Sequence, residues 1–205
     1  DIVISHIRQA NVGAVSLPNT HPFCRILWGK TWTYAHNGQL KGFAQTLPIK
    51  FHLPIGTTDS EHAFCWILDQ LHIEFAEKEP DEKVLFSYVA KLCERINQLG
   101  VFNLILSDGD HLFAYCSNNL HWITRKAPFG EASLIDAEMR VDFQQVTTAN
   151  DIVTVIATRQ KKITVNDLTG KRIAVAKSGS NVENHKGRKM LISIADKTIL
   201  SMINK

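Results

Sequence analysis

The sequence predicts an α+β fold with helices packed on antiparallel sheet, and three observations carry that expectation. Strand-like runs occur at both ends of residues 1–158, two helical stretches with one apolar face lie between them, and tight turn signals separate the later strands. With 205 residues, 44% hydrophobic and 21% charged, the chain can bury one sizeable core and has an ordinary globular composition.

Residues 2–7 (Ile-Val-Ile-Ser-His-Ile) read as a strand. No basic leader or cleavage site precedes them, so a signal peptide is not expected, and the chain reads as starting in mid-fold. Gly13, Pro18 and Pro22 mark an irregular loop. Thr31 to Ala35 is β-branched and aromatic, hence a strand, expected to end at an Asn37-Gly38 turn. A loop punctuated by Pro48, Pro54 and Gly56 leads to Thr58-Asp59-Ser60-Glu61.

The first helix is expected to start near Asp59 or Ser60, both good N-caps, and carries Phe64, Ile67, Leu68, Leu71 and Phe75 at helical spacing. A second, from about Asp81 to Leu99, lines up Val84, Leu85, Tyr88, Val89, Leu92, Ile96 and Leu99, with Gly100 placed to stop it. A β-meander follows: Val101 to Ser107, the Asp108-Gly109-Asp110 turn, Leu112 to Cys116, the Ser117-Asn118-Asn119 turn and Leu120 to Thr124. Ile152 to Ala157 gives one more strand. No run of about 20 apolar residues suggests a membrane span.

The charge divides the chain. Residues 1–158 hold 12 Lys/Arg against 17 Asp/Glu, whereas residues 159–205 hold 11 against 3. The first part is read as one domain. The second is a basic segment, possibly of the same domain, with strands suggested at 172–176 and 190–194 and otherwise expected to be a solvated tail. It has no aromatic residue to stack on a base, so nucleic acid is not the expected partner, although an acidic partner or nucleic acid stays open as a rival. Cys24, Cys65, Cys93 and Cys116 are widely spaced and fit buried free thiols in a reducing cytoplasm. His6, His21 and His36 recur at intervals without an i,i+4 pair or a Cys/His cluster, so neither a metal nor any other cofactor is expected.

Four short blocks carry possible chemistry: His6-Ile7-Arg8, Asn19-Thr20-His21-Pro22, His36-Asn37-Gly38 and Thr58-Asp59-Ser60-Glu61. Glutamine asks a site for a guanidinium on its α-carboxylate, a carboxylate on its α-ammonium and fixed donors for the oxyanion formed at its amide. Arg8 could serve the first and Asp59 the second. Asn37 could donate from its side chain and Gly38 from its N–H, where a glycine permits close approach. Taken alone, Arg8 is more often a surface ion pair, Asn37-Gly38 a plain turn and Asp59 a helix cap; the ordered set is more specific than its members.

Taken in order and spacing, these blocks resemble the class II glutamine amidotransferases of the N-terminal-nucleophile (Ntn) hydrolase superfamily, nearest a stand-alone bacterial YafJ-like branch. Gly100-Val101-Phe102-Asn103, Leu106-Ser107-Asp108-Gly109, Ala114-Tyr115-Cys116-Ser117, residues 120–125 and 151–158 resemble it too, so the likeness covers about residues 1–158. It implies a four-layer αββα sandwich, here N-terminally truncated. It also implies attack of an N-terminal cysteine thiolate on the glutamine amide, with ammonia released and a γ-glutamyl thioester hydrolysed. By the matching blocks Arg8 takes the α-carboxylate, Asp59 the α-ammonium, and Asn37 and Gly38 the oxyanion, while His21 and His36 shape the substrate site. None of the four cysteines has the free α-amine that the mechanism uses as base. A fragment, or a pseudoenzyme that binds an amino acid without turnover, is therefore the alternative reading. Sheet edges left open by truncation lead to an expectation of a homo-oligomer or a poorly soluble product. The ammonia acceptor or synthase partner is not named by the sequence.

Overall fold

The computed structural model describes residues 2–7, 16–133, 140–145, 147–158, 166–167, 173–177 and 188–195. The first strands in chain order are Ile2–Ile7 (β1), Phe23–Leu27 (β2), Lys30–Leu40 (β3), Gly100–Ser107 (β4), His111–Tyr115 (β5) and His121–Lys126 (β6). Then come Glu131–Ser133 (β7), Arg140–Asp142 (β8), Ile152–Ala157 (β9), Asn166–Asp167 (β10), Ile173–Lys177 (β11) and Arg188–Ala195 (β12). The helices are Phe43–Thr46 (α1), Asp59–Phe75 (α2) and Glu82–Asn97 (α3).

The strands build two five-stranded sheets and a small β7–β8 hairpin. One sheet runs β1-β12-β9-β6-β10, with β12 parallel to both β1 and β9; the other runs β11-β5-β4-β3-β2 and is antiparallel throughout. Strand parity sorts the second sheet's side chains between two cores. Trp32 and Tyr34 of β3, Phe102 and Leu104 of β4 and Phe113 and Tyr115 of β5 pack with Phe64, Ile67, Leu71, Leu85 and Val89 of the helices. Their in-between neighbours Ala35, Ile105, Leu112 and Ala114 join Leu120, Ile156 and, from β1, Ile2 and Ile4 in a core between the sheets. The result is helix on sheet on sheet. A helical layer beyond the first sheet, the fourth expected, has no counterpart among the described residues.

Several expectations are corrected in detail. β3 does not stop at an Asn37-Gly38 turn but pairs with β4 from Thr33↔Ser107 to Leu40↔Gly100, because an uninterrupted partner strand is available and Gly38 (φ 155°) accommodates the ladder. The N-cap of α2 is Thr58, whose hydroxyl accepts the Glu61 N–H at 3.1 Å, so Asp59 and Ser60 are already helical. Gly100 opens β4 instead of ending α3, and Val84 is half exposed on the outer side of its helix. The later strands are not one meander: after β5 the Ser117–Asn119 turn carries the chain into the other sheet. The segment 159–205 supplies β10, β11 and β12 to the two sheets and so is not simply a solvated tail.

Two features went unread in the sequence. Trp28 and Gly29 both have positive φ (55° and 73°) and form the two-residue turn between β2 and β3. The strain at Trp28 is offset by packing on Trp32 and Phe75 and by a 2.8 Å hydrogen bond from Nε1 to Ala76 O. The loop between α1 and α2 is held from beneath by two carboxylates two turns apart on α2. Glu61 accepts the N–H groups of Ile55 (2.9 Å) and Gly56 (2.7 Å) and pairs with Arg25. Asp69 accepts the N–H groups of Lys50, Phe51 (3.0 Å) and His52 (2.7 Å) and meets the His52 ring at 2.8 Å.

Burial alone would raise the Asp69 pKa, but the N–H groups of Lys50, Phe51 and His52 with the His52 ring outweigh it and hold the carboxyl below its ordinary value. That stabilisation is present in full above the unfolded value near ~4 and fades as pH falls through the lower folded one. We predict that Asp69→Asn loses about 2 kcal/mol in urea melts at pH 7. The gap to the wild-type chain should narrow below about pH 4, and a pH-independent gap would contradict the charge argument.

Candidate functional site

β2 pairs with β3 only as far as Phe23↔Tyr34, so from Ala35 onward β3 has a partner on its β4 side alone among the described residues. The open side is taken by the first turn of α2. The Asp59 carboxylate accepts the Leu40 N–H at 2.8 Å (Oδ2) and the Ser60 N–H at 2.9 Å (Oδ1). Ser60 Oγ lies 2.9 Å from His36 Nδ1. Two stitches thus bracket Asn37-Gly38, one at residue 36 and one at residue 40.

Backbone N–H groups alternate between the two edges of a strand. Leu40 N–H points to the open edge, and Gly38, two residues earlier, points the same way. Its N–H is therefore aimed at the side where the half-buried Asp59 carboxylate sits. A Cβ on Gly38 would collide with the Val101 carbonyl and come within 2.8 Å of His36 Nε2, so this position needs its glycine for space as well as for conformation. Asn37 has the opposite parity and projects, like Ala35, toward the space between the sheets. Its carbonyl accepts a 3.1 Å hydrogen bond from Asn103 Nδ2 across the β3–β4 ladder.

His36 lies on the helix side, 2% exposed. Its Nε2–H donates to Val101 O at 3.2 Å and its Nδ1 accepts from Ser60. Burial lowers its pKa, opposed by the Asp59 charge and the Val101 carbonyl, so the ring is neutral and acts as a strut between β3, α2 and β4. His21 is also buried, its ring 4.2 Å from that of His6 on β1, 4.5 Å from Phe23 and 6.5 Å from Tyr34. It joins the end of β1 to this corner. Asn19 completes it: Oδ1 accepts the Thr57 N–H at 2.9 Å, and Gly56 lies so close to Asn19 and Pro18 that a side chain there would overlap both. Gly38, Asp59 and His36 are therefore brought together, with Asn37 next in the strand and His21 one contact away, on Tyr34. Arg8 lies outside the described residues.

Sequence reasoning missed Ser60, Asn103, Arg25 and Asn19 as supports of the corner. Asn19, Ser60 and Asn103 stood inside quoted blocks, but a buried polar side chain gives no local signal of what it will hold. Among the described residues no group of three or more His, Cys, Asp or Glu could hold a metal ion, and no helix is long and apolar enough to cross a membrane. Three cysteines are buried, burial pushing the Cys65 thiol up to about 11 and that of Cys93 higher; the fourth, Cys24, is exposed on β2 with its sulfur 3.7 Å from Thr33 Oγ1.

Comparison with known proteins gives the family. The family profile for class II glutamine amidotransferases matches residues 1–198. The Escherichia coli K12 protein YafJ, provisionally named a glutamine amidotransferase, is 54% identical over 157 residues, 77% of this chain and 61% of its own length. A provisionally named glutamine amidotransferase of Haemophilus influenzae is 46% identical over 156 residues, 76% of this chain and 52% of its own. The chain thus spans only about half to three fifths of these relatives. A crystal structure from Pseudomonas aeruginosa, described as a predicted glutamine amidotransferase, superposes with a TM-score of 0.64 at 46% identity, covering 85% of this chain and 65% of its own.

A folded His36 pKa below the unfolded one means that acidification through about pH 6.5 favours the unfolded chain, which binds the extra proton first. We predict that the wild-type chain loses stability between about pH 7 and 5.5 and that His36→Gln flattens this part of the profile, read as urea midpoints against pH. Gly38→Ala should cost more than about 2 kcal/mol, since the neighbouring atom is backbone and cannot give way. An unchanged melting midpoint would contradict that crowding.

Proposed function

The chain belongs to the class II glutamine amidotransferases, and we propose that it binds free glutamine at the corner between β3 and α2 and presents the side-chain amide for attack by a cysteine thiolate. The observation that carries this reading is the common edge: the Gly38 N–H and the Asp59 carboxylate face the same side of β3. Asp59 Oδ atoms retain acceptor capacity beyond the Leu40 and Ser60 N–H groups and so can meet an α-ammonium. Arg8 takes the α-carboxylate with a bidentate pair.

The remaining chemistry follows from charge development. As a thiolate adds to the amide carbon, the carbonyl oxygen becomes an oxyanion, and donors fixed beforehand are worth about 3 kcal/mol each at that moment. Gly38 N–H and the Asn37 amide are such donors. Collapse expels ammonia, leaving a γ-glutamyl thioester that water hydrolyses to glutamate. Cys65 and Cys93 are too buried and too weakly acidic to serve, Cys116 is buried against Leu120 O, and among the described residues Cys24 meets the Thr33 hydroxyl, which is no general base. His36, occupied at both nitrogens, contributes rigidity, and His21 contributes packing.

Binding can be tested without turnover. Calorimetry should show 1:1 binding of L-glutamine, weakened about ten- to a hundredfold by Asp59→Asn, the loss of one charge-assisted contact. An ammonia-release assay run beside it separates an active protein from a binding module. Absence of binding to the wild-type chain would sink the proposal.

A further inference from the structure

We infer that Asn103 is a positioning residue that aims the Gly38 N–H by gripping the other side of the same peptide unit, an inference that rests on the glutamine reading above. The carbonyl of Asn37 and the N–H of Gly38 belong to one planar trans amide and point in opposite directions. Whatever fixes Asn37 O toward β4 therefore fixes Gly38 N–H toward the open edge of β3. Asn103 Nδ2 donates to Asn37 O at 3.1 Å.

The Asn103 side chain cannot swing away. It is 0% exposed. Its Oδ1 accepts the N–H groups of Ser117 (3.1 Å), Asn118 (3.2 Å) and Asn119 (3.2 Å), and the second proton of Nδ2 goes to Asn118 Oδ1 at 3.0 Å. Three converging N–H groups admit only an oxygen, so the amide orientation is settled by its partners. Donation to Asn37 O also polarises that peptide and strengthens Gly38 N–H as a donor. The grip is rigid for a further reason: residues 117–119 are the turn that carries the chain from one sheet to the other, so Asn103 references the donor to the junction between the sheets.

Asp at position 103 separates two duties. A carboxylate still accepts the three turn N–H groups but sets an oxygen against Asn37 O. L-Norvaline keeps the α-ammonium, α-carboxylate and hydrocarbon chain of glutamine and lacks only the carboxamide. By calorimetry on the 205-residue chain, Asn103→Asp should leave norvaline affinity within about twofold while the preference for glutamine over norvaline falls by about tenfold, the worth of one well-aimed hydrogen bond. Asn118→Ala, which disturbs the turn but not the bond to Asn37, should keep the preference. A folded Asn103→Asp chain that retains its preference overturns the inference alone, as does a wild-type chain that binds glutamine without preferring it to norvaline. A wild-type chain that binds neither overturns the glutamine reading with it. If Asn103→Asp does not fold, NMR on the wild-type chain decides: glutamine, but not norvaline, should shift both the Gly38 N–H and the Asn103 side-chain amide, and a silent Asn103 amide beside a shifting Gly38 overturns the inference.

Discussion

The first turn of α2 docked on the open edge of β3 is the contact on which the rest of the corner depends. A strand edge inside a protein leaves N–H groups that must find partners or cost about 1–3 kcal/mol each. Here the β2 pairing stops at Phe23↔Tyr34 and the helix takes over, Asp59 capping the Leu40 N–H and Ser60 bonding His36. Gly38 lies between these points, past the end of the β2 pairing among the described residues.

The supports around it are charged and buried, which is costly unless every lone pair is used. Glu61 and Asp69 satisfy that condition with loop N–H groups, and Glu61 adds Arg25, whose guanidinium also reaches the carbonyls of Cys24 (2.8 Å) and Leu53 (3.4 Å). One guanidinium thereby covers part of the β2 edge and part of the loop, a protection suited to a short edge strand. The same two carboxylates explain why an irregular loop with exposed Phe51, Leu53 and Ile55 holds one course into Thr58 and the helix.

How much of this was legible in the sequence varied with how local the cause was. The helices over Asp59–Phe75 and Glu82–Asn97 and the strands β1, β4, β5 and β9 follow from periodicity, and the structure places them within a few residues of expectation. Asn37-Gly38 misled because the pair is the commonest turn signal, whereas Gly38 is needed here for the nearness of the Val101 carbonyl, a contact sixty residues away in sequence that no local pattern records. Thr58 was passed over as a cap for the equally suitable Asp59, which is engaged elsewhere with Leu40. The meeting of Gly38, Asp59 and His36 was legible only as a set of ordered blocks. That His36 would turn its ring toward the helices followed from strand parity, once β3 was known to continue through it.

The two cores differ in a way that bears on how firmly the corner is held. The helix side of the second sheet contains Trp32, Tyr34, Phe64, Trp66, Phe102, Phe113 and Tyr115, most of them with no exposed surface, and each large side chain removes enough apolar area to contribute about 2–3 kcal/mol. Between the sheets the second sheet offers mainly Ala35, Ala114, Cys116, Leu112 and Ile105. Small side chains let the sheets approach and leave little to lock them in place. Rigidity at Asn37-Gly38 therefore comes from behind, through Tyr34, His36 and Phe102 against the helices, and from Asn103 at the sheet junction. The Asn37 side chain is on the lightly packed side. Such a division suits a site whose donors must stay fixed while the space in front of them admits a ligand, since preorganised donors are useful only if filling the cavity does not move them.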